Sequence, residues 1–177
     1  MIYLGIDPGV TGAVGVVTSD GDAKAWNLPT KVRERATENG KVRRCLDPVV
    51  LCELLNDYDP LGCVVVVERT QAGMKGAIAN YSLGHSSGVI MGVLAALGFK
   101  FQEVRPQEWK RTFGLLATKA ERGLPKQVRT KQAKGSSRKV AQALFPGVSL
   151  DRVKDDGLAE ALLLAEWGRR VMEGTID

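Results

Sequence analysis

Five acidic side chains occupy places where an acid is costly. Asp7 ends the apolar run Ile2 to Ile6 and is followed by Pro8-Gly9, and Glu68 closes Cys63 to Val67, the most hydrophobic run in the chain. Asp155, Asp156 and Glu160 open a segment that is otherwise apolar, GLAEALLLAEW. Burying a lone carboxylate costs on the order of several kcal/mol, so an acid at the end of a buried strand calls for a compensating cation or partner. Neighbouring carboxylates raise one another's pKa unless a metal sits between them. Asp156 and Glu160 are four residues apart and would share one helical face. Hard oxygen donors without His or Cys nearby suit Mg²⁺ or Mn²⁺ rather than zinc. Two such ions about 3.5–4 Å apart can activate water and stabilise the leaving oxygen in phosphodiester hydrolysis. Each acid also has an ordinary structural use: Asp7 in a turn, Glu68 paired with Arg69, Asp155 or Asp156 capping a helix. Glu166 and Glu173 read as solvated helix acids. The chemistry requires the strands of Asp7 and Glu68 to be neighbours, with the last helix packed beside them.

The pattern of elements can meet that requirement. Ile2, Leu4 and Ile6 alternate as a strand, Ala13 to Val17 forms a second short β-rich run, and Ala23 to Leu28 suits a third. Residues 30–46 are polar and basic and read as a surface excursion. Asp47-Pro48 is a good helix start, and Asp59-Pro60 a stop. Cys63 to Val67 reads as a central strand buried on both faces. Residues 76–98 look helical, with Gly84, Gly88 and Gly92 on one side, a stripe suited to close approach of a sheet face or a partner subunit. Phe99 to Val104 alternates as a strand, and Pro106 to Phe113 suggests a short helix carrying Trp109 and Lys110. Residues 117–135 are polar, basic and broken by Gly123 and Pro125, and are expected to be a mobile loop. Ser136 can cap a helix through Phe145, with its N-terminus open to a phosphate. A final helix covers roughly Asp156 to Met172. A hairpin-like start followed by alternating helices and strands indicates an α/β domain with a mixed sheet. No internal repeat or linker divides residues 1–177, so one domain is expected.

Composition narrows the function classes. The 177 residues are 44% hydrophobic and 25% charged, as in a soluble globular protein. No apolar run reaches the ~20 residues of a membrane span, and MIYLGIDPG is unlike a signal peptide. Cys45, Cys52 and Cys63 show no CxxC spacing, which argues against structural zinc or a disulfide framework and for a reducing cytoplasm. The net charge of +5 is uneven: residues 100–139 hold twelve Lys/Arg against three Glu. A basic segment on an acidic body suits a polyanion. The candidate phosphate-binding residues are Arg105, Lys110, Arg111, Lys126 and Arg129, continuing through Lys131, Lys134, Arg138 and Lys139. Such binding is salt-dependent and largely blind to sequence. Trp109 reads as a packing anchor and His85 as structural.

The pieces GIDPGVTGAVGVV, VVVVER, VRPQEWKRTFGL, SSRKVAQALFP and DDGLAEALLLAEWGRR, in that order, resemble the RuvC family of Holliday junction resolvases, particularly its phage-encoded members. The resemblance implies a ribonuclease H-like α/β fold with a mixed central β-sheet flanked by helices, and a homodimer in the cytoplasm of a bacterial host. It implies a nuclease that hydrolyses a DNA phosphodiester in four-way junctions, with two Mg²⁺ or Mn²⁺ ions per site. Carried over by position, the ligands are Asp7, Glu68 and a choice among Asp155, Asp156 and Glu160, with Asp156 favoured. Two departures stand out. The family's last two ligands are commonly three residues apart, whereas Asp156 and Glu160 are four apart. Bacterial members place a junction-opening aromatic shortly after the second acid, where this chain reads TQAGMKG, and the nearest aromatic is Tyr81. Related enzymes acting on flaps, D-loops or RNA–DNA hybrids stay open. So does a non-catalytic branched-DNA-binding protein. An actin-like or sugar-kinase-like ATP-binding protein is a further alternative, because Asp7, Gly9 and Thr11 match its phosphate loop; that fold needs roughly twice this length.

Overall fold

A computed structural model describes residues 1–32, 44–70, 76–118, 122–123 and 126–176, leaving aside the side chains of 126 and 129–134. The leading strands are β1 (Ile2–Ile6), β2 (Ala13–Thr18) and β3 (Ala23–Asn27). Two short strands, β4 (Thr30–Val32) and β5 (Arg44–Leu46), pair with each other, so the ends of the expected surface excursion form a small ribbon. The excursion's residues 33–43 lie outside the described residues. Helix α1 (Pro48–Asn56) starts as its sequence predicts: Asp47 accepts hydrogen bonds from the Val49 and Val50 amides, with proline in the first turn. It ends before Asp59, which instead caps the 3₁₀ turn Pro60–Gly62.

After that turn come β6 (Cys63–Glu68), α2 (Ala77–Ala96), β7 (Phe101–Val104), α3 (Pro106–Thr112), α4 (Lys126–Leu144) and α5 (Asp156–Met172). The main sheet has the order β3-β2-β1-β6-β7. β1 and β2 are antiparallel, as are β2 and β3, whereas β1, β6 and β7 run parallel. The mixed sheet with flanking helices is the expected architecture.

Strand alternation divides the core in two. Leu4, Ile6, Val65 and Val67 join Leu51, Leu55, Ile90 and Leu94 beneath α1 and α2. Tyr3 and Val66 join Trp109, Ala141 and the apolar face of α5 on the other side. α5 lies so close to the sheet that a side chain on Gly5 would collide with the backbone of Ala161 and Ala165, and one on Gly15 with Ala161. These glycines are register partners on β1 and β2. They form a trough that seats the helix.

Two expectations about the helices need correction. Much of the stretch expected to be a loop, 117–135, is the first half of α4. Its residues, KQVRTKQAK, are polar, but Lys, Gln, Arg and Ala are good helix formers. Ser136 therefore lies inside a helix and cannot cap its start. The phosphate site at that N-terminus falls with it. Of the two covers expected for the glycine stripe of α2, the sheet face is excluded: Gly84, Gly88 and Gly92 are exposed, with nothing within 4 Å of where a side chain would be.

Candidate active site

The strand register brings the first two acids together. β1 and β6 pair in parallel up to Ile6 opposite Val67, so Asp7 and Glu68 are the next residues at the same end of adjacent strands. Alternation puts both on the side of Tyr3, Gly5 and Val66, the face that α5 covers. The carboxyl ends of parallel strands are a recurrent place for sites in open sheets. Past Asp7 the chain turns tightly: the Gly9 amide donates to Asp7 Oδ1 at 3.4 Å, and the Asp7 amide donates to the Ala13 carbonyl.

α5 supplies the third contribution. Its first turn comes close to the Asp7–Gly12 loop, since a side chain on Gly157 would lie 2.7 Å from the Thr11 carbonyl oxygen. Glu160 and Asp7 are both near enough to Glu68 to act on its charge. Burial is the main cause that pushes the Glu68 carboxyl up to about 7; Lys110 opposes this, Asp7 and Glu160 add to it, and the Trp109 hydrogen bond again opposes it.

The α5 acids are not equivalent. Glu160 receives Lys110 Nζ at 3.2 Å and the Ser137 hydroxyl at 3.4 Å. Asp156, 9% exposed, has Arg138 Nε 2.8 Å from its Oδ1. Asp155 is committed elsewhere: it accepts the Arg152 backbone amide at 2.9 Å and faces the Arg152 guanidinium at 2.8 Å. The hydrogen bond from the Arg152 side chain is the main cause that holds its carboxyl below the usual range. Asp155 is a local cap of the 3₁₀ turn Val153–Asp155, and the structure does not bring it to Glu68. Among the described residues, no three Asp, Glu, His or Cys side chains stand close enough to hold one ion as placed.

The basic residues fall into three groups. Lys110 and Arg138 contact the acids directly. Arg105, Arg111 and Lys139 are exposed. Lys126, Arg129, Lys131 and Lys134 lie along α4, with side chains outside the described residues. Trp109 is fully buried, which agrees with a packing role, and its Nε1–H also donates to Glu68 Oε2 at 2.8 Å. The sequence reading missed that second role. The available signal was that a buried indole needs an acceptor, and that the helix after β7 must pass the end of neighbouring β6. His85 lies half-buried on α2 with its ring 6.0 Å from that of Tyr81. The TQAGMKG segment lies mostly outside the described residues, at 71–75. Glu166 corrects another expectation, being 2% exposed rather than solvated.

No family model matches the chain. Over 94 residues, 52% of this chain and 9% of the relative, it is 34% identical to the chloroplastic Holliday junction resolvase MOC1 of Chlamydomonas reinhardtii. The match therefore spans under a tenth of that relative's length. The structure superposes on Thermus thermophilus RuvC in complex with a Holliday junction substrate, with a TM-score of 0.60 and 17% identity, covering 99% of this chain and 98% of that one. A second Thermus thermophilus RuvC structure matches over the same shares with a TM-score of 0.56 and 18% identity. The mixed five-stranded sheet and its flanking helices are the ribonuclease H-like fold of RuvC.

Proposed function

We propose that this chain is a structure-selective DNA endonuclease that resolves four-way junctions by divalent-metal-dependent phosphodiester hydrolysis. The observation that carries the reading is the meeting of Asp7 and Glu68 at the ends of two parallel strands, under the acid-bearing first turns of α5. The name of the sequence relative and the substrate bound to the structural neighbour favour branched DNA over other polyanions.

The donor chemistry fits a hard cation. Glu68 is a carboxyl whose negative charge is disfavoured chiefly by burial, and the acids near it, Asp7 and Glu160, offer only oxygen as ligands. Asp7, Glu68, Glu160 and Asp156 would hold Mg²⁺ or Mn²⁺, two ions per site, with Asp155 outside the set. When bound, such ions activate water and stabilise the leaving oxygen. The chain's own groups hold and balance charge. Lys110 and Arg138, paired with Glu160 and Asp156, offset the repulsion among the acids and would compete with a divalent cation for them. The exposed Arg105, Arg111 and Lys139, with the basic residues of α4, bind backbone phosphates, so affinity falls steeply with salt.

The chain works as a homodimer in this reading. α2 contains no charged residue in twenty, yet Ile78 and Tyr81 are 62% and 57% exposed, beside the open glycine stripe. An exposed helix face with no charge and two large apolar side chains suits a partner surface, and a two-fold pair of sites suits a four-way junction. The three free cysteines suit the cytoplasm of a bacterial host, and no helix among the described residues is long and apolar enough to cross a membrane.

The test is incubation with labelled four-way, three-way, flap and duplex DNA in Mg²⁺ or Mn²⁺. Symmetric paired nicks in the four-way junction are expected. Saturable binding of ATP-Mg without DNA cleavage would instead favour the kinase-like reading.

A further inference from the structure

Trp109 makes a contact that packing does not require. Its indole Nε1–H reaches across from α3 to Glu68 Oε2 at 2.8 Å. The ring that carries this donor is held on several sides. It is fully buried, the Phe113 ring meets it edge-on at 6.5 Å, and Lys110 Nζ lies 4.8 Å from its centroid. α3 itself follows β7, the strand paired with β6 through Glu68 opposite Val104. Donor and acceptor therefore come from adjoining parts of one rigid sheet edge. The type of donor matters as well. An Arg or Lys at this place would neutralise Glu68 and compete with an incoming cation. An indole N–H donates one hydrogen bond and carries no charge. It can fix where the carboxylate sits while leaving its negative charge for a ligand.

We propose that Trp109 is a positioning residue for Glu68, holding one carboxylate oxygen so that the group is preset to receive a divalent cation. The inference rests on the metal-binding reading given above. Partners behind a metal ligand that orient it typically change metal affinity by roughly 10–100-fold when removed.

The experiment is calorimetric titration of Mn²⁺ into the metal-free full chain, without DNA, for wild type, Trp109→Phe and Phe113→Leu. Trp109→Phe keeps an aromatic ring and loses the donor. Phe113→Leu loosens packing around the indole and keeps the donor. The expected result is Mn²⁺ affinity about 10-fold or more weaker in Trp109→Phe, with Phe113→Leu within about twofold of wild type on the same scale. Equal weakening in both variants, or none in Trp109→Phe while wild type binds Mn²⁺, overturns this inference alone. Wild-type protein that takes up no Mn²⁺ overturns the metal reading and this inference with it. Should Trp109→Phe fail to fold, the wild-type indole N–H signal of Trp109 reads the same contact by NMR. It shifts when Mg²⁺ is added, and an unmoved signal overturns the proposal.

Discussion

Glu68 and Glu166 are two carboxyl groups in the same core region, on the same face of the sheet, and the protein treats them in opposite ways. Glu166 is 2% exposed, and burial alone would raise its pKa. It nevertheless lies below the usual carboxylate range, because Arg169 and Arg170 each donate to it at 2.8 Å from the next turn of α5. Among the described residues no arginine pairs with Glu68. Burial is what chiefly pushes its carboxyl up to about 7; nearby Lys110 opposes this, Asp7 and Glu160 add to it, and its hydrogen bond comes from a neutral indole. A buried acid with two guanidinium partners is finished as a structural unit. One that burial leaves with a disfavoured negative charge and no guanidinium partner would, on the metal-binding proposal, still have a charge to offer a cation.

The largest expected effect tests which acid does chemistry. Asp7→Asn or Glu68→Gln should lower junction cleavage on the order of 10³-fold, the loss of several kcal/mol of charge stabilisation in the transition state. Binding of the junction, measured by gel shift in EDTA, should stay close to wild type because it rests on phosphate contacts. Substantial cleavage by both variants would break the contrast. Glu166→Ala should do the reverse: about 3 kcal/mol less stable in urea denaturation, since two buried-facing guanidinium groups lose their partner, with cleavage per folded molecule retained.

The pH dependence of stability should separate the two acids by sign. The Glu68 pKa is higher in the folded chain than its ordinary carboxylate value, so this group's contribution is full at acid pH. That contribution is lost as pH rises through about 7. Glu68→Gln should therefore stabilise the metal-free protein above neutral pH by roughly 2–3 kcal/mol, a gain that disappears in mild acid. Glu166 is lowered, so its contribution is present above the ordinary carboxylate pKa and lost as pH falls through its depressed value. Thermal melts of Glu68→Gln and Glu166→Gln across pH, in chelator, check the opposite slopes. The smallest effect belongs to the rim of the arginine cluster. Arg169 and Glu173 are 2.7 Å apart, one helical turn removed and partly exposed, and Glu173→Gln should cost only about 0.5 kcal/mol.

These contrasts also show what the amino-acid sequence made readable. Asp7 and Glu68 stood out because a carboxylate after an unbroken apolar strand conflicts with local hydrophobicity, and that conflict is local. The α5 acids were harder, because a helix start favours acids for its own electrostatic reasons. Only coordinates separate Asp155, which closes a turn with Arg152, from Asp156 and Glu160. Glu166 shows that charge alone does not mean exposure, since arginines three and four residues along the helix allow its burial. The Gly123 and Pro125 breaks, which suggest a loop through 117–135, fall just before the helix start at Lys126. Trp109, Lys110, Ser137 and Arg138 reach the acids only through packing of α3 and α4 against the sheet, and pairings between distant segments leave little trace in a single sequence.

The parallel pairing of β1 with β6 has a consequence for how such a chain can change. Both acids sit one step beyond the last paired residues, Ile6 and Val67. A strand shows its two faces in turn, so inserting or deleting one residue within either strand would turn that acid toward the greasy layer under α1 and α2. Volume-conserving substitutions of the apolar residues along these strands can be absorbed, Gly5 excepted, but a change of length by one cannot. Chains descended from this one should therefore vary freely in loop length while keeping the residue count of both strands.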